Sequence, residues 1–167
     1  MNDKPEVGLV IRHLYLWRYE ETHGKDQGRK ARPCVIIRIH ENAEGETEVY
    51  IAPLTHVDPG NDKISLEIPQ ATKRRLKLDQ EKSWVITNEV NRFTWKGPDV
   101  VATPSGAFAY GYLPAGFIKV VIQQIRDNAI NKQLGVVERD DENLKRHIKE
   151  EVAARTKRGQ VATKAKK

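Results

Sequence analysis

Arg32 and Pro33 stand where a cationic loop over residues 24–30 gives way to an apolar run, Cys34-Val35-Ile36-Ile37. Proline fixes φ and donates no N–H, so Pro33 suits the first residue of a strand. That places the Arg32 guanidinium at a strand mouth. A guanidinium there presents a planar fork of donors at fixed charge, well shaped for a phosphate. A second constellation, Ala52-Pro53-Leu54-Thr55-His56, closes the next apolar run. In an antiparallel hairpin the start of the first strand lies beside the end of the second, so Arg32 and Thr55 should share one end of the sheet. A guanidinium beside a hydroxyl and the His56 imidazole has the parts of a phosphodiester site. The arginine would stabilise charge on phosphate oxygens, and an acid or base would move the proton of an attacking 2′-hydroxyl.

Other chemistries find less support in the residue pattern. The five histidines are scattered and have no cysteine partners at ligand spacing, so no metal constellation is read. No glycine loop that cradles phosphate appears, and Thr103-Pro104-Ser105-Gly106 reads as a turn rather than a nucleophile elbow. The single cysteine, Cys34, excludes an intramolecular disulfide and reads as a small buried hydrophobe.

The elements that must position these residues follow from local pattern. Residues 7–17 read as a first strand, 18–31 as a long polar loop, 32–40 and 47–54 as a hairpin, and 64–68 as an amphipathic strand. Residues 69–78 suit a short helix with proline in its first turn. Residues 83–91 read as one strand, and 100–102 and 107–112 as two short ones. Apolar residues then recur at helical spacing through Phe117, Val121, Ile125 and Ala129, predicting a helix over 113–134 that ends at Gly135. A weak helical stripe follows over 136–154, and 155–167 is too polar to build a core. Many short strands with one late helix predict a small, mainly β barrel or sandwich carrying a helix. The division is 1–134 for the folded domain and 135–167 for a charged extension.

Charge is unevenly placed. The net charge is +6, but six basic residues and no acid lie in 155–167. The remaining 23 basic residues balance the 23 acidic ones, so the body is formally neutral. Nucleic-acid contact by the body must rest on local patches, here Arg29-Lys30-Arg32 and Lys73-Arg74-Arg75-Lys77. No apolar run approaches the roughly 20 residues of a membrane span, and the polar start, with Asp3 and Glu6, does not fit a signal peptide. A cytoplasmic location is the natural expectation.

Taken in order, Gly8-Leu9-Val10, Lys30-Ala31-Arg32-Pro33, Ala52-Pro53-Leu54-Thr55, the stretch from Trp84 to Phe93, and Gly111-Tyr112-Leu113 resemble the MazF/PemK family of bacterial toxin–antitoxin systems. The similarity covers about residues 7–130. It implies an SH3-like barrel with a C-terminal helix, as in MazF, PemK and CcdB-type toxins. It also implies a homodimer, an antitoxin partner whose segment blocks the site, and cleavage of single-stranded RNA without metal or other cofactor. By position, Arg32 would be the catalytic arginine, Thr55 the hydroxyl at the site, and Arg92 an RNA-binding arginine. Glu89 would take the acid–base role that some members give to an Arg-x-Asp on the later strand. Arg29, Lys30, His56, Lys73 and Arg74 complete the RNA-binding set. The rival reading is a noncatalytic RNA- or protein-binding module on the same fold.

Overall fold

A computed structural model describes residues 3–22 and 30–139 of the chain. Arg29 and the extension from residue 140 onward lie outside the described residues.

The apolar run after Pro33 becomes strand β2, Ala31–Glu41, paired antiparallel with β1, Leu9–Leu14, and β3, Thr47–Thr55. Four consecutive residues, Cys34 to Ile37, are buried because both faces of this strand are covered. Val35 and Ile37 join Val10, Ala52, Leu54 and Val85 in one apolar cluster. Cys34 and Ile36 join Leu9, Ile11, Val49, Ile51 and Phe93 in another. Alternating side chains thus feed two cores from one sheet.

The first cluster is capped by helix α3, Ala115–Ile130, whose Ile118, Val121 and Ile125 are buried. These positions lie three and four residues apart, the spacing that puts them on one helix face. The expected helix is thus present but shorter at its C-terminus. Lys132, at φ 58°, takes the left-handed terminating position assigned above to Gly135. Gly135 instead opens strand β9, Gly135–Glu138, which runs parallel to β6, Glu89–Thr94, setting Val137 against Asn91. A Cβ on Gly135 would lie 2.8 Å from Arg18 Cδ, so a larger residue there would have to push the Arg18 side chain aside. The sheet therefore continues past residue 134, and residues 136–138 are strand rather than helix.

The remaining strands are β4, Ser65–Glu67; β5, Trp84–Ile86; β7, Val100–Val101; and β8, Ala109–Tyr112. All pairings except β6–β9 are antiparallel, and the nine-stranded sheet is unclosed, with β4 and β7 ending its main path. The single strand expected over 83–91 is split. Thr87 leaves the ladder because its N–H donates to the Ile64 carbonyl and its own carbonyl accepts from the Asn128 amide of α3. Two short helices complete the body: α1, Arg18–Thr22, in the segment read as loop, and α2, Gln70–Arg75, where one was expected. No helix among the described residues is long and apolar enough to cross a membrane.

His13 on β1 is fully buried, stacked on Phe93 at 4.7 Å, and neither ring nitrogen has a hydrogen-bond partner among the described residues. Burial, with the Arg139 charge assisting, lowers its pKa from 6.5 to about 3. The folded chain therefore keeps His13 neutral at a pH where the unfolded chain binds a proton. This favours folding fully above pH 6.5 and less as pH falls toward 3. At pH 5 the loss is roughly 2 kcal/mol. Urea unfolding of His13→Leu and of the parent at pH 7 and pH 5 should show the parent losing about that much more stability. Equal losses would refute the assignment.

Candidate functional site

Beyond the Cys34–Pro53 pair of the β2–β3 register, Arg32 and Thr55 each follow two residues further along, at one end of the hairpin. This is the juxtaposition expected from the sequence. Their side chains nevertheless enter different surroundings.

Thr55 lines a cavity of about 280 Å³ whose walls include Arg12, His56, Lys77, Asp79, Ser83 and Tyr110. Ala31 and Pro33, the neighbours of Arg32, also line it, and Arg32 does not. The Arg32 guanidinium instead lies over the Trp17 ring, 4.9 Å from its centroid, with Nε buried and unpartnered among the described residues. Trp17 meets Tyr15 edge-on at 5.1 Å, and the Tyr15 hydroxyl donates to Glu89 Oε2 at 3.0 Å. Arg32 and Glu89 are thus joined through two aromatic rings, beside the cavity rather than in it.

Glu89 also accepts from the Arg18 backbone N–H at 3.2 Å, so it holds the start of α1. Burial raises its pKa, against the lowering effect of these hydrogen bonds. Arg92 is held on β6 by Glu138 at 2.7 Å and Glu48 at 3.7 Å, which neutralise its charge between neighbouring strands. Lys30 and Arg74 are exposed. Cys34 is buried as expected, and burial pushes its thiol well up.

Lys73 differs most from its sequence reading. It is 1% exposed, so it cannot serve as an RNA contact. Its Nζ donates to Asp79 Oδ1 at 2.7 Å and to the Glu81 carbonyl. Thr72, Lys73 and Leu76 form the buried stripe of α2 and its cap, and that spacing was the available signal. The basic run over 73–77 concealed it.

The buried ammonium fixes the loop that surrounds His56. Nε2 of His56 lies 2.7 Å from Asp79 Oδ2, and Nδ1 lies 3.2 Å from Ser83 Oγ. Glu81 Oε2 and the Lys82 carbonyl are 3.5 and 3.4 Å from Nδ1. Neither Asp79 nor Ser83 was picked out by sequence spacing, because they reach His56 from a loop more than twenty residues away. His56, Asp79 and Glu81 also bring three ligand-type atoms within 4.8 Å of one another, a set that spacing did not reveal. The Lys73 ammonium on Asp79 works against a further cation there. What the arrangement can do is acid–base chemistry: a carboxylate orients one imidazole nitrogen, and the other faces a hydroxyl in a cavity. Comparison with protein-family models finds no match for this chain, and comparison with curated proteins finds no relative.

Burial works against ionised Asp79, but the Lys73 hydrogen bond and the charge of His56 outweigh it and hold the carboxyl below its ordinary 3.8. Its stabilising contribution is therefore complete above pH 3.8 and is lost as pH falls through the lower folded value. Lys73→Met should return the Asp79 titration, followed by carboxyl carbon NMR, toward the ordinary value. The stability cost should be about 1–2 kcal/mol, since Asp79 remains half exposed to water. An unchanged titration would show that Lys73 does not govern Asp79.

Proposed function

We propose that this protein is an endoribonuclease of the MazF/PemK kind, the toxin of a toxin–antitoxin pair, which cuts single-stranded RNA without metal to arrest growth. On this reading the sheet and α3 are a divergent SH3-like barrel. The chain acts as a cytoplasmic homodimer, and an antitoxin segment covers the site. The observation that carries the reading is the seat of His56, between Asp79 and Ser83 in a cavity shared with Thr55 and with both neighbours of Arg32.

The chemistry follows from charge placement. In the tautomer that gives Nε2–H to anionic Asp79, the Nδ1 lone pair of His56 accepts the proton of a ribose 2′-hydroxyl. The freed 2′-oxygen attacks phosphorus, the bond to the 5′-oxygen breaks, and that oxygen takes a proton from water as it leaves, while His56 returns its own proton to the hydroxide so formed. A 2′,3′-cyclic phosphate and a 5′-hydroxyl result. Thr55 offers a hydroxyl to the phosphate under attack, and Arg12 and Lys77 on the same lining supply positive charge to its oxygens. Arg32, beside the cavity, supplies positive charge to a neighbouring phosphate of the strand, with Trp17 beneath it as a plane on which a base can stack. The proton-transfer role thus passes from Glu89, which Tyr15 and Arg18 engage, to His56.

Incubation with mixed single-stranded RNA in EDTA should give defined fragments. Arg32→Ala should weaken RNA binding and slow cleavage at subsaturating RNA, and His56→Ala should lower the rate on the order of 10²–10⁴-fold, with far-ultraviolet circular dichroism unchanged. Cleavage by Arg32→Ala at the parental rate would remove Arg32 from the site.

The pairing of Glu89 and Arg92 with structural partners favours one rival, RNA binding without cleavage. In that case deleting residues 155–167, with their six cations, should reduce the log–log salt slope of RNA binding by about 4. An unchanged slope would show that this segment is not the main anchor.

A further inference from the structure

We infer that Ser83 is an activated serine nucleophile, and that its cavity accepts small carboxylic esters carrying an anionic substituent, a hydrolase activity distinct from RNA cleavage. Ser83 Oγ, the His56 ring and Asp79 Oδ2 form one hydrogen-bonded series, at 3.2 Å and 2.7 Å. In the tautomer that gives Nε2–H to the Asp79 carboxylate, Nδ1 carries the lone pair toward Ser83 Oγ. Glu81 Oε2 and the Lys82 carbonyl, both acceptors near Nδ1, then stabilise the imidazolium once it has taken the serine proton. A nucleophile hydroxyl, a base, and a carboxylate orienting the base are therefore in order, with the two ring nitrogens exchanged relative to the chymotrypsin arrangement.

The surroundings suit a held nucleophile. Ser83 is 3% exposed, yet it lines the cavity, and its carbonyl accepts from the Ile68 N–H at 2.8 Å, which fixes the residue. Asp79 is in turn fixed by the buried Lys73 ammonium, so Asp79 and Lys73 act as positioning residues. Leu54, Leu78 and Tyr110 give the cavity apolar walls for an acyl chain. Arg12 and Lys77 place two cations on its lining, matched to an anionic substituent and to the oxyanion that forms in the reaction.

In the step, Ser83 Oγ bonds to the ester carbonyl carbon as its proton passes to His56 Nδ1. The tetrahedral intermediate expels the alkoxide, which takes that proton and leaves as alcohol. Water then attacks the acyl-serine by the same route, releasing the carboxylic acid and restoring the hydroxyl.

The test treats the folded full chain with a fluorophosphonate probe in the absence of RNA. Ser83 Oγ would bond to phosphorus and fluoride would leave. Peptide mass spectrometry locates the adduct. The expected result is one adduct, on Ser83, absent from urea-unfolded protein and formed at least about 100-fold more slowly in His56→Gln and Asp79→Asn. Hydrolysis of p-nitrophenyl succinate should exceed that of p-nitrophenyl butyrate and disappear in Ser83→Ala. No adduct on the folded parent, or an equal labelling rate in His56→Gln, would overturn the proposal. Because the parent protein supplies the deciding result, misfolding of a variant does not rescue it. The probe assay contains no RNA, so its failure is independent of any failure of the ribonuclease reading.

Discussion

Two-sided burial of the β1–β2–β3 sheet is the constraint on which the rest of the structure depends. Cys34, Val35, Ile36 and Ile37 can all be apolar only because α3 and its neighbours cover one face while Phe93, Tyr15 and the flanking tryptophans cover the other. A one-residue slip would exchange the contents of the two cores, so register is tightly specified. The same alternation sorts the residues at the strand mouth. Ala31 and Pro33 face the cavity, while Arg32 is carried to the aromatic side with Trp17. The strand mouth thus serves two neighbouring sites, one cationic and aromatic, the other built around an imidazole.

The cavity has its own dependence, on an ammonium ion withdrawn from water. Desolvating Lys73 is costly, and the cost is met by a carboxylate and a backbone carbonyl from a single loop. That loop then delivers Asp79, Glu81 and Ser83 to His56. Such an arrangement adds little to net stability compared with an apolar core. Its effect is geometric, because the loop conformation that satisfies the buried charge is the one that brings Asp79 and Ser83 to His56.

Much of the framework was legible. The hairpin, α2 and α3 follow from patterns that dominate locally: an apolar run opened by proline, a turn, and a helical stripe with a width set by Ile118, Val121 and Ile125. Where those patterns failed, tertiary bonds decided. Gly135 reads as a helix stop because nothing local reveals that β6 awaits a parallel partner or that Arg18 crowds the position. Thr87 sits in an apolar run and still leaves the ladder, because Asn128 reaches it from α3. At the site, Arg32, Thr55 and His56 stood out by their place in the hairpin. Asp79 and Ser83 did not, since a hydrogen-bonded series assembled through a loop leaves no periodic trace. Lys73 belonged to a stripe that its basic neighbours masked.

Strand β9 has a consequence for the strand mouth. It returns the chain from the end of α3 to the sheet, and Arg139, just after it, pairs with Asp99 and reaches the Leu14 carbonyl. Leu14 is the register partner of Ala31, which is the residue beside Arg32. Residue 139 is therefore anchored beside the strand mouth rather than at a remote corner of the body. One side chain at the end of β9 thus closes a circuit from α3 through the sheet edge to the strand that carries Arg32.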